Sequence, residues 1–424
     1  MGRAPSSLTR AKSWCCARLQ TYLNVEMMGR NRLLYFTFGE SYSGIYRSQV
    51  VDVVRHLNAE FDVDVGLLAI LPMKLWSAQR KLIGRDFPGA AVLSALPFQG
   101  RHFLWRWHII PLALYVLFTR RRRLICRGAF ATRLALDLRK IGLVKSVVYD
   151  GRGAMAAEQR EYNIYSRHIA DRIEPLERQA VLRADHRIAV TDALADYWTR
   201  CYDFNASYSR IPCTLSTSWQ RDHPVWEEAR RAVRETMGLA ESDVLLMYSG
   251  SAAGWQSFGL LLGELDRALE SDLRFHVLLL CPETVEIVQF LDRWPGRTRR
   301  MFVSPSEVVN WISAADVGLI LRESSVTNSV AMPTKFAEFL AAGLHLVLTG
   351  PNPAAEYAVA NEVGTRWSEG FDWSNWLKIK MQEGHKLDID SRSRSRNCAY
   401  RDFLKTSQSN REGYFKVLGD AVVN

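Results

Sequence analysis

No stretch of the 424-residue chain is apolar for long enough to span a bilayer. The longest candidate, WHIIPLALYVLF at 107–118, has 12 residues and a proline, against the roughly 20 that a membrane-spanning helix needs. Cysteine is sparse and patternless: seven residues, at 15, 16, 126, 201, 213, 281 and 398, with no CxxC pair and no His/Cys cluster. That usage fits a reducing compartment and argues against a zinc site, so no metal is expected. A secretory signal is missing too. MGRAPSSLTRAKSWCCARLQTY is basic but lacks the apolar run of roughly 7–15 residues that such a signal requires. Residues 1–29 are expected to be a flexible arm, or an extension upstream of a start at Met27 or Met28. Internal repeats are absent. The one low-complexity tract, SRSRSR at 391–396, is expected to be a solvated segment.

Acidic residues are scarce in one part only. Residues 1–150 hold 23 Lys and Arg against 9 Asp and Glu, a balance of +14; the whole chain carries +10, so the remainder carries −4. A basic half attracts an anionic surface, a lipid head group or a phosphate. The 107–118 stretch is followed at once by Arg120, Arg121, Arg122 and Arg123. Two readings stand. It is a core helix with a solvated end, or a helix at the membrane interface with Trp105, Trp107 and the four arginines as contacts. No stacking platform or recognition motif accompanies the basic residues, so nucleic acid is not an expected partner.

What fills the chain is an alternation of apolar strand-like runs and amphipathic helical stretches, the mark of parallel α/β layers. The first half reads LLYFTF (33–38), VGLLAIL (65–71), AAVLSAL (90–96), LICRG (124–128), SVVYDGRG (146–153) and RIAVT (187–191). After the polar stretch TLSTSWQRDHPVW the rhythm restarts with VLLMYSG (244–250), FHVLLLC (275–281), RMFVS (300–304), VGLILR (317–322) and LHLVLTG (344–350). This order predicts two Rossmann-like doubly wound domains, at 30–222 and 223–395, facing a central cleft. Residues 396–424 are expected to form a helix that packs back on the first domain. Such sheets bind ligands at the carboxyl ends of their strands.

Residues 322–343 carry the sharpest local chemistry. Pro333 suits the first turn of a helix, whose free N–H groups and dipole attract anions. Lys335 in that turn adds a full charge, and Arg322, at the end of an apolar strand, can clamp a diphosphate bidentately. Glu338 is one turn beyond Lys335 on the same face, where a carboxylate can take both hydroxyls of a ribose. The plainer reading is a Lys335–Glu338 pair on a solvated surface. In the first half, Asp150, Arg152 and Glu158 follow a strand and are acceptor-side candidates, or a strand-end turn with an Arg152–Glu158 ion pair. Gly44, closing the loop GESYSG, offers close backbone approach, or only a turn.

The wording of these segments adds to this. MPTKFAEFLAAGL, preceded by SAADVGLILRESSVTNSVA, resembles the donor-binding region of retaining GT-B glycosyltransferases of the family 4 type, which carry a P-x-K-x-x-E-x-L/M-A-x-G-x-P-V pattern. LMYSGSAAGWQSFGLLLGELDRAL is similar to the strand, glycine loop and helix that open their second domain. YDGRGAMAAE, RIAVTDALADYW and IYRSQVVDVVRHL are similar to segments of their first domain, in order. The resemblance implies a GT-B fold and a metal-independent, retaining glycosyltransferase without a cofactor. Its partners would be a nucleotide sugar, a glycan or lipid-linked acceptor of cell-surface polysaccharide, and an anionic membrane surface. The implied location is cytoplasmic, peripheral to the inner face of the membrane. It also implies that Arg322 and Lys335 are catalytic, neutralising the diphosphate, and that Glu338 binds the ribose. Asn328, Ser329, Val330 and Thr334 would lie by the sugar and phosphates, and Gly250 and Ser251 would face the cleft. Two departures matter: Val330 stands where the family has a glutamate, and the lysine after the glycine loop is missing. His345, in place of a proline, is read as structural. A GT-B nucleotide-sugar epimerase, or a catalytically inactive GT-B module that binds a nucleotide or a partner, is the alternative.

Overall fold

The computed structural model describes residues 31–95, 104–165, 167–251, 253–304, 307–382 and 389–419; the expected arm at 1–29 lies outside them. The first sheet contains β1 (Asn31–Phe38), β2 (Val63–Leu71), β3 (Ala91–Ser94), β4 (Arg123–Arg127), β5 (Ser146–Gly151), β6 (His186–Ala189) and β7 (Ser209–Arg210), in the order β3-β2-β1-β4-β5-β6-β7. The second contains β8 (Val244–Ser249), β9 (Phe275–Leu280), β10 (Thr298–Met301), β11 (Val317–Ile320), β12 (His345–Thr349) and β13 (Gly364–Trp367), in the order β10-β9-β8-β11-β12-β13. The strand pairings are parallel. Helices cover both faces, so strands such as β2 and β12 are apolar without alternation and buried along most of their length. Both sheets reverse their order between the first and fourth strands, β1 and β4 in one and β8 and β11 in the other. Those reversals open crevices at the carboxyl ends, as doubly wound sheets do.

Gly318 in β11 shows how tightly the second domain is built. A Cβ there would run into the Phe339 ring of the helix Thr334–Ala341, so glycine lets that helix lie close on the sheet. The helix Ile389–Asp402 then packs on Thr334–Ala341, and Gln408–Leu418 crosses to the first sheet, burying Tyr414, Val417 and Leu418 beside Leu33, Val65 and Ile211.

The SRSRSR tract is not solvated. Arg392, Ser395 and Arg396 are buried, at 3%, 1% and 5% exposure. Their spacing explains it: positions i, i+3 and i+4 share one helical face. Arg392 donates to the carbonyls of Ser313, Ala315 and Ala342, at the ends of the helices Val308–Ser313 and Thr334–Ala341. Helix ends leave such carbonyls without partners, and a guanidinium fork can serve several at once.

The domains also touch beside the cleft. Glu161, in the helix Met155–Tyr162, accepts hydrogen bonds from the N–H groups of Val326 (2.7 Å) and Thr327 (3.0 Å) at the start of the helix Val326–Ser329. Thr191 Oγ1 donates to the Val330 carbonyl at 2.7 Å.

Candidate functional site

A cleft of about 930 Å3 lies between the carboxyl ends of the two sheets. Arg322 enters it two residues after β11, with its N–H held by Thr349 Oγ1 at 3.0 Å. Its Nη2 donates to Gln256 Oε1 at 3.2 Å, and its Nη1 reaches Asn328 Oδ1 at 3.4 Å. Lys335 comes from the first turn of Thr334–Ala341. Only 8% of it is exposed, and its Nζ donates to the same Gln256 oxygen at 3.0 Å. The ammonium also sits 3.9 Å from the centre of the Tyr248 ring. Gly250, at φ +144°, closes over it; a Cβ there would stand 3.0 Å from Nζ, a position that only glycine fills without strain.

Two cations thus share one neutral oxygen, and among the described residues neither has a carboxylate within ion-pair distance. Burial pushes Arg322 down to about 10, and burial together with Arg322 pushes Lys335 well below its usual range. A desolvated pair of like charges is a standing demand for an anion. The helix supplies more of the same. Its N-cap is Pro333, so the helix starts one place later than a first-turn proline would give; no side chain caps it, Phe336 N–H bonds the Pro333 carbonyl, and Pro333, Thr334 and Lys335 line the cleft at the helix start.

The Lys335–Glu338 surface pair does not exist. Lys335 is buried on the amide oxygen, and Glu338 is half-buried on the cleft wall, with burial raising its pKa to about 7 against the pull of Lys335. Gly250 and Ser251 line the cleft; Asn328 lies behind Arg322, donating to Tyr162 Oη and to the Glu323 carbonyl. Ser329 and Val330 do not reach it. Ser329 bonds back to the Val326 carbonyl, and Val330, 1% exposed, packs among first-domain side chains such as Ala157 and Leu194. An apolar residue at the place where the domains touch is drawn into their contact rather than into the wet cleft.

On the first-domain side Gly44 lines the cleft as the first residue of the helix Gly44–Tyr46, capped by Ser43, rather than in a plain turn. Asp150 is fully buried, accepting from the Tyr35 hydroxyl and contacting Arg152 Nε at 2.6 Å and Arg127 Nη1 at 3.8 Å. Its carboxylate is spent on holding those arginines. The Arg152–Glu158 ion pair is therefore absent. Glu158 lines the cleft with no side-chain hydrogen bond or ion pair among the described residues, and burial followed by Glu161 raises its pKa.

The basic stretch divides. Trp105 packs edge-on against Phe130 at 5.1 Å, and Arg121 makes two hydrogen bonds to Asp64 at 2.8 and 2.9 Å; both are half-buried and engaged within the fold. Arg122 lies exposed along the carbonyl of Leu143, and Arg123 starts β4. Trp107, Ile110, Leu114, Leu117 and Phe118 form an exposed stripe on the helix Ile109–Thr119 and its lead-in, with Arg120 exposed beside it. Among the described residues no helix is long and apolar enough to cross a membrane.

Sequence reasoning missed Gln256, Tyr248, Glu40 and Arg127. Arg127 carries the signal that found Arg322, an arginine ending an apolar strand. An amide in a short 3-10 turn, such as Gln256 in Gly254–Gln256, carries none.

The two sheets, their order and the cleft between them define the GT-B fold. No protein-family model matches the chain, and no curated protein matches its sequence. Solved structures do match in fold. HepE of Anabaena, solved with UDP, has a TM-score of 0.68 at 12% identity, over 91% of this chain and 99% of its own. Sucrose-phosphate synthase of Thermosynechococcus elongatus has 0.68 at 11%, over 91% and 98%. WaaG, a glycosyltransferase involved in lipopolysaccharide biosynthesis, has 0.64 at 14%, over 92% and 100%.

Proposed function

We propose that the protein is a glycosyltransferase that moves a sugar from a nucleoside-diphosphate donor to a glycan or lipid-linked acceptor in cell-surface polysaccharide assembly. The convergence of Arg322 and Lys335 on Gln256, with no carboxylate within ion-pair distance among the described residues, carries this reading. A diphosphate supplies the missing negative charge, and Glu338 then takes the ribose. As the glycosidic bond breaks, charge grows on the leaving diphosphate, and fixed cations with helix N–H groups stabilise it without a metal. Retention of configuration follows from the family resemblance. The second domain is the donor side, and Gly44, Arg152 and Glu158 serve the acceptor across the cleft.

HepE has been solved with UDP and with UDP-glucose, which makes these the first probes. Calorimetry against a nucleotide panel, followed by donor hydrolysis in excess EDTA, tests the reading. Saturable binding with slow, EDTA-resistant hydrolysis supports it. Binding without any turnover leaves the inactive module, and absence of nucleotide binding overturns the site.

A further inference from the structure

Tyr162, a first-domain residue, reaches both second-domain segments that hold Arg322. It is the last residue of the helix Met155–Tyr162, which Asn163 closes in a left-handed conformation at φ +51°. Its hydroxyl donates to Ser325 Oγ at 3.1 Å and accepts from Asn328 Nδ2 at 3.3 Å. Its ring stands edge-on to Trp255, 6.1 Å between centres. A Cβ on Gly254 would lie 3.1 Å from the same ring, so the glycine gives the tyrosine room. Gly254 and Trp255 belong to the turn whose third residue is Gln256. One side chain therefore braces both neutral oxygens on the Arg322 guanidinium, Gln256 Oε1 at 3.2 Å and Asn328 Oδ1 at 3.4 Å.

The hydroxyl decides which way the Asn328 amide faces. An amide offers an acceptor on one side and two donors on the other. Nδ2 has two acceptors, Tyr162 Oη and the Glu323 carbonyl at 3.0 Å, which leaves Oδ1 toward Arg322. Turned by half a rotation, the amide would set its own N–H groups against a guanidinium that has only donors. Ser325 Oγ completes the circuit, accepting the Tyr162 proton and the Asn328 N–H, the latter at 3.1 Å. That spends the hydroxyl proton and leaves the Tyr162 oxygen as the acceptor. Glu161, the preceding residue, fixes the approach through the N–H groups of Val326 and Thr327. Packing between the domains would be served as well by phenylalanine. The two-way hydrogen bonding is what phenylalanine lacks.

We propose that Tyr162 is a positioning residue for the transfer: from the first domain it orients Asn328, and through Asn328 the Arg322 guanidinium, toward the diphosphate of the donor. This rests on the transferase reading above. A double-mutant cycle read by calorimetry of UDP binding tests it. Tyr162→Phe should weaken UDP roughly two- to ten-fold, the worth of one hydrogen bond. Asn328→Ala should weaken UDP at least as much. The double variant should bind UDP like Asn328→Ala alone, because the hydroxyl then has nothing to orient. Residues that act independently would instead show losses that add. Asn328→Ser, too short to reach Arg322, takes the same place in the cycle if the alanine variant does not fold. Wild-type UDP affinity in Tyr162→Phe overturns the inference, and so do losses that add in the double variant; Tyr162 is then packing between domains and nothing more. Failure of UDP to bind the wild type sinks the transferase reading, and this inference with it.

Discussion

Glu338 and Lys335 lie one turn apart yet answer to different neighbours, and their titration separates their roles. Lys335 is held below its usual pKa by burial and by Arg322, so its charged form is costly until an anion arrives. Bound diphosphate should raise that pKa, so binding should take up protons at pH values above the folded pKa, and affinity should fall as pH rises there. Calorimetry of UDP binding in buffers of different ionisation enthalpy reads the uptake directly; no net proton exchange across that range would contradict the assignment. The same depression means that folding carries a penalty for charged Lys335, largest at low pH and fading as pH rises through the folded pKa toward the unfolded one. Lys335→Met should therefore stabilise the fold by about 1–2 kcal/mol while weakening UDP, since apolar replacement of a buried charge is often favourable. Thermal melts together with titration check both signs. Glu338→Ala should weaken UDP by roughly 1.5–3 kcal/mol, the value of hydrogen bonds to a charged group, with the fold retained; equal UDP affinity would remove the ribose assignment. These residues were legible because strand ends and helix starts leave local marks. Val330 was not, because its place is set by the distant Thr191 and the first-domain core.

The helix Ile389–Asp402 shows the same contrast one level up. Its composition reads as solvated, yet Arg392 ties the carbonyl ends of two helices and lies 3.9 Å from both Asp316 and Glu227. Local composition gives no hint of carbonyls more than 40 residues away. The strands, by contrast, were readable one by one, because helices on both faces force continuous apolar runs. Asp316 is the hub beneath the helix Thr334–Ala341: Arg230, Arg234 and Arg392 hold its carboxyl below its usual range against the opposing effect of burial. Removing Arg392 leaves a buried carboxylate underpaired and takes the guanidinium donor from the carbonyls of Ser313 and Ala342, while Ala315 keeps Arg230. Arg392→Ala should cost about 3 kcal/mol, the lower end for breaking a buried pair. Its melting temperature should fall while UDP affinity of the folded protein stays within two-fold. A melt equal to wild type would show that the tract is ornamental.

At the scale of the molecule, two domains meet across a cleft and the basic one presents an apolar stripe outward. Trp107, Ile110, Leu114, Leu117 and Phe118 recur at helical spacing, and Phe118 is 84% exposed. Arg120 and Arg122 stand exposed at the end of that stripe, on the half of the chain whose charge is +14 before residue 151. Apolar insertion combined with positive charge is the pairing that holds amphipathic helices at anionic bilayers. The structure changes which residues test this. Replacing all four arginines would break the Arg121–Asp64 clamp and unsettle β1 and β2, so loss of adhesion would prove nothing. Arg120→Gln with Arg122→Gln removes charge and spares the clamp. Each charge near such a surface contributes about 1 kcal/mol, so the double variant should bind anionic vesicles roughly 30-fold more weakly at low salt. Wild type should release as salt rises, because screening acts on these charges. Phe118→Ser with Leu117→Ser should lose adhesion at every salt concentration, with UDP binding intact. Sedimentation with phosphatidylserine and phosphatidylcholine vesicles separates the outcomes. Equal pelleting by wild type and both double variants would refute a membrane role for the stripe, and a shift to dimers that the serine pair abolishes would assign it to a second copy of the chain.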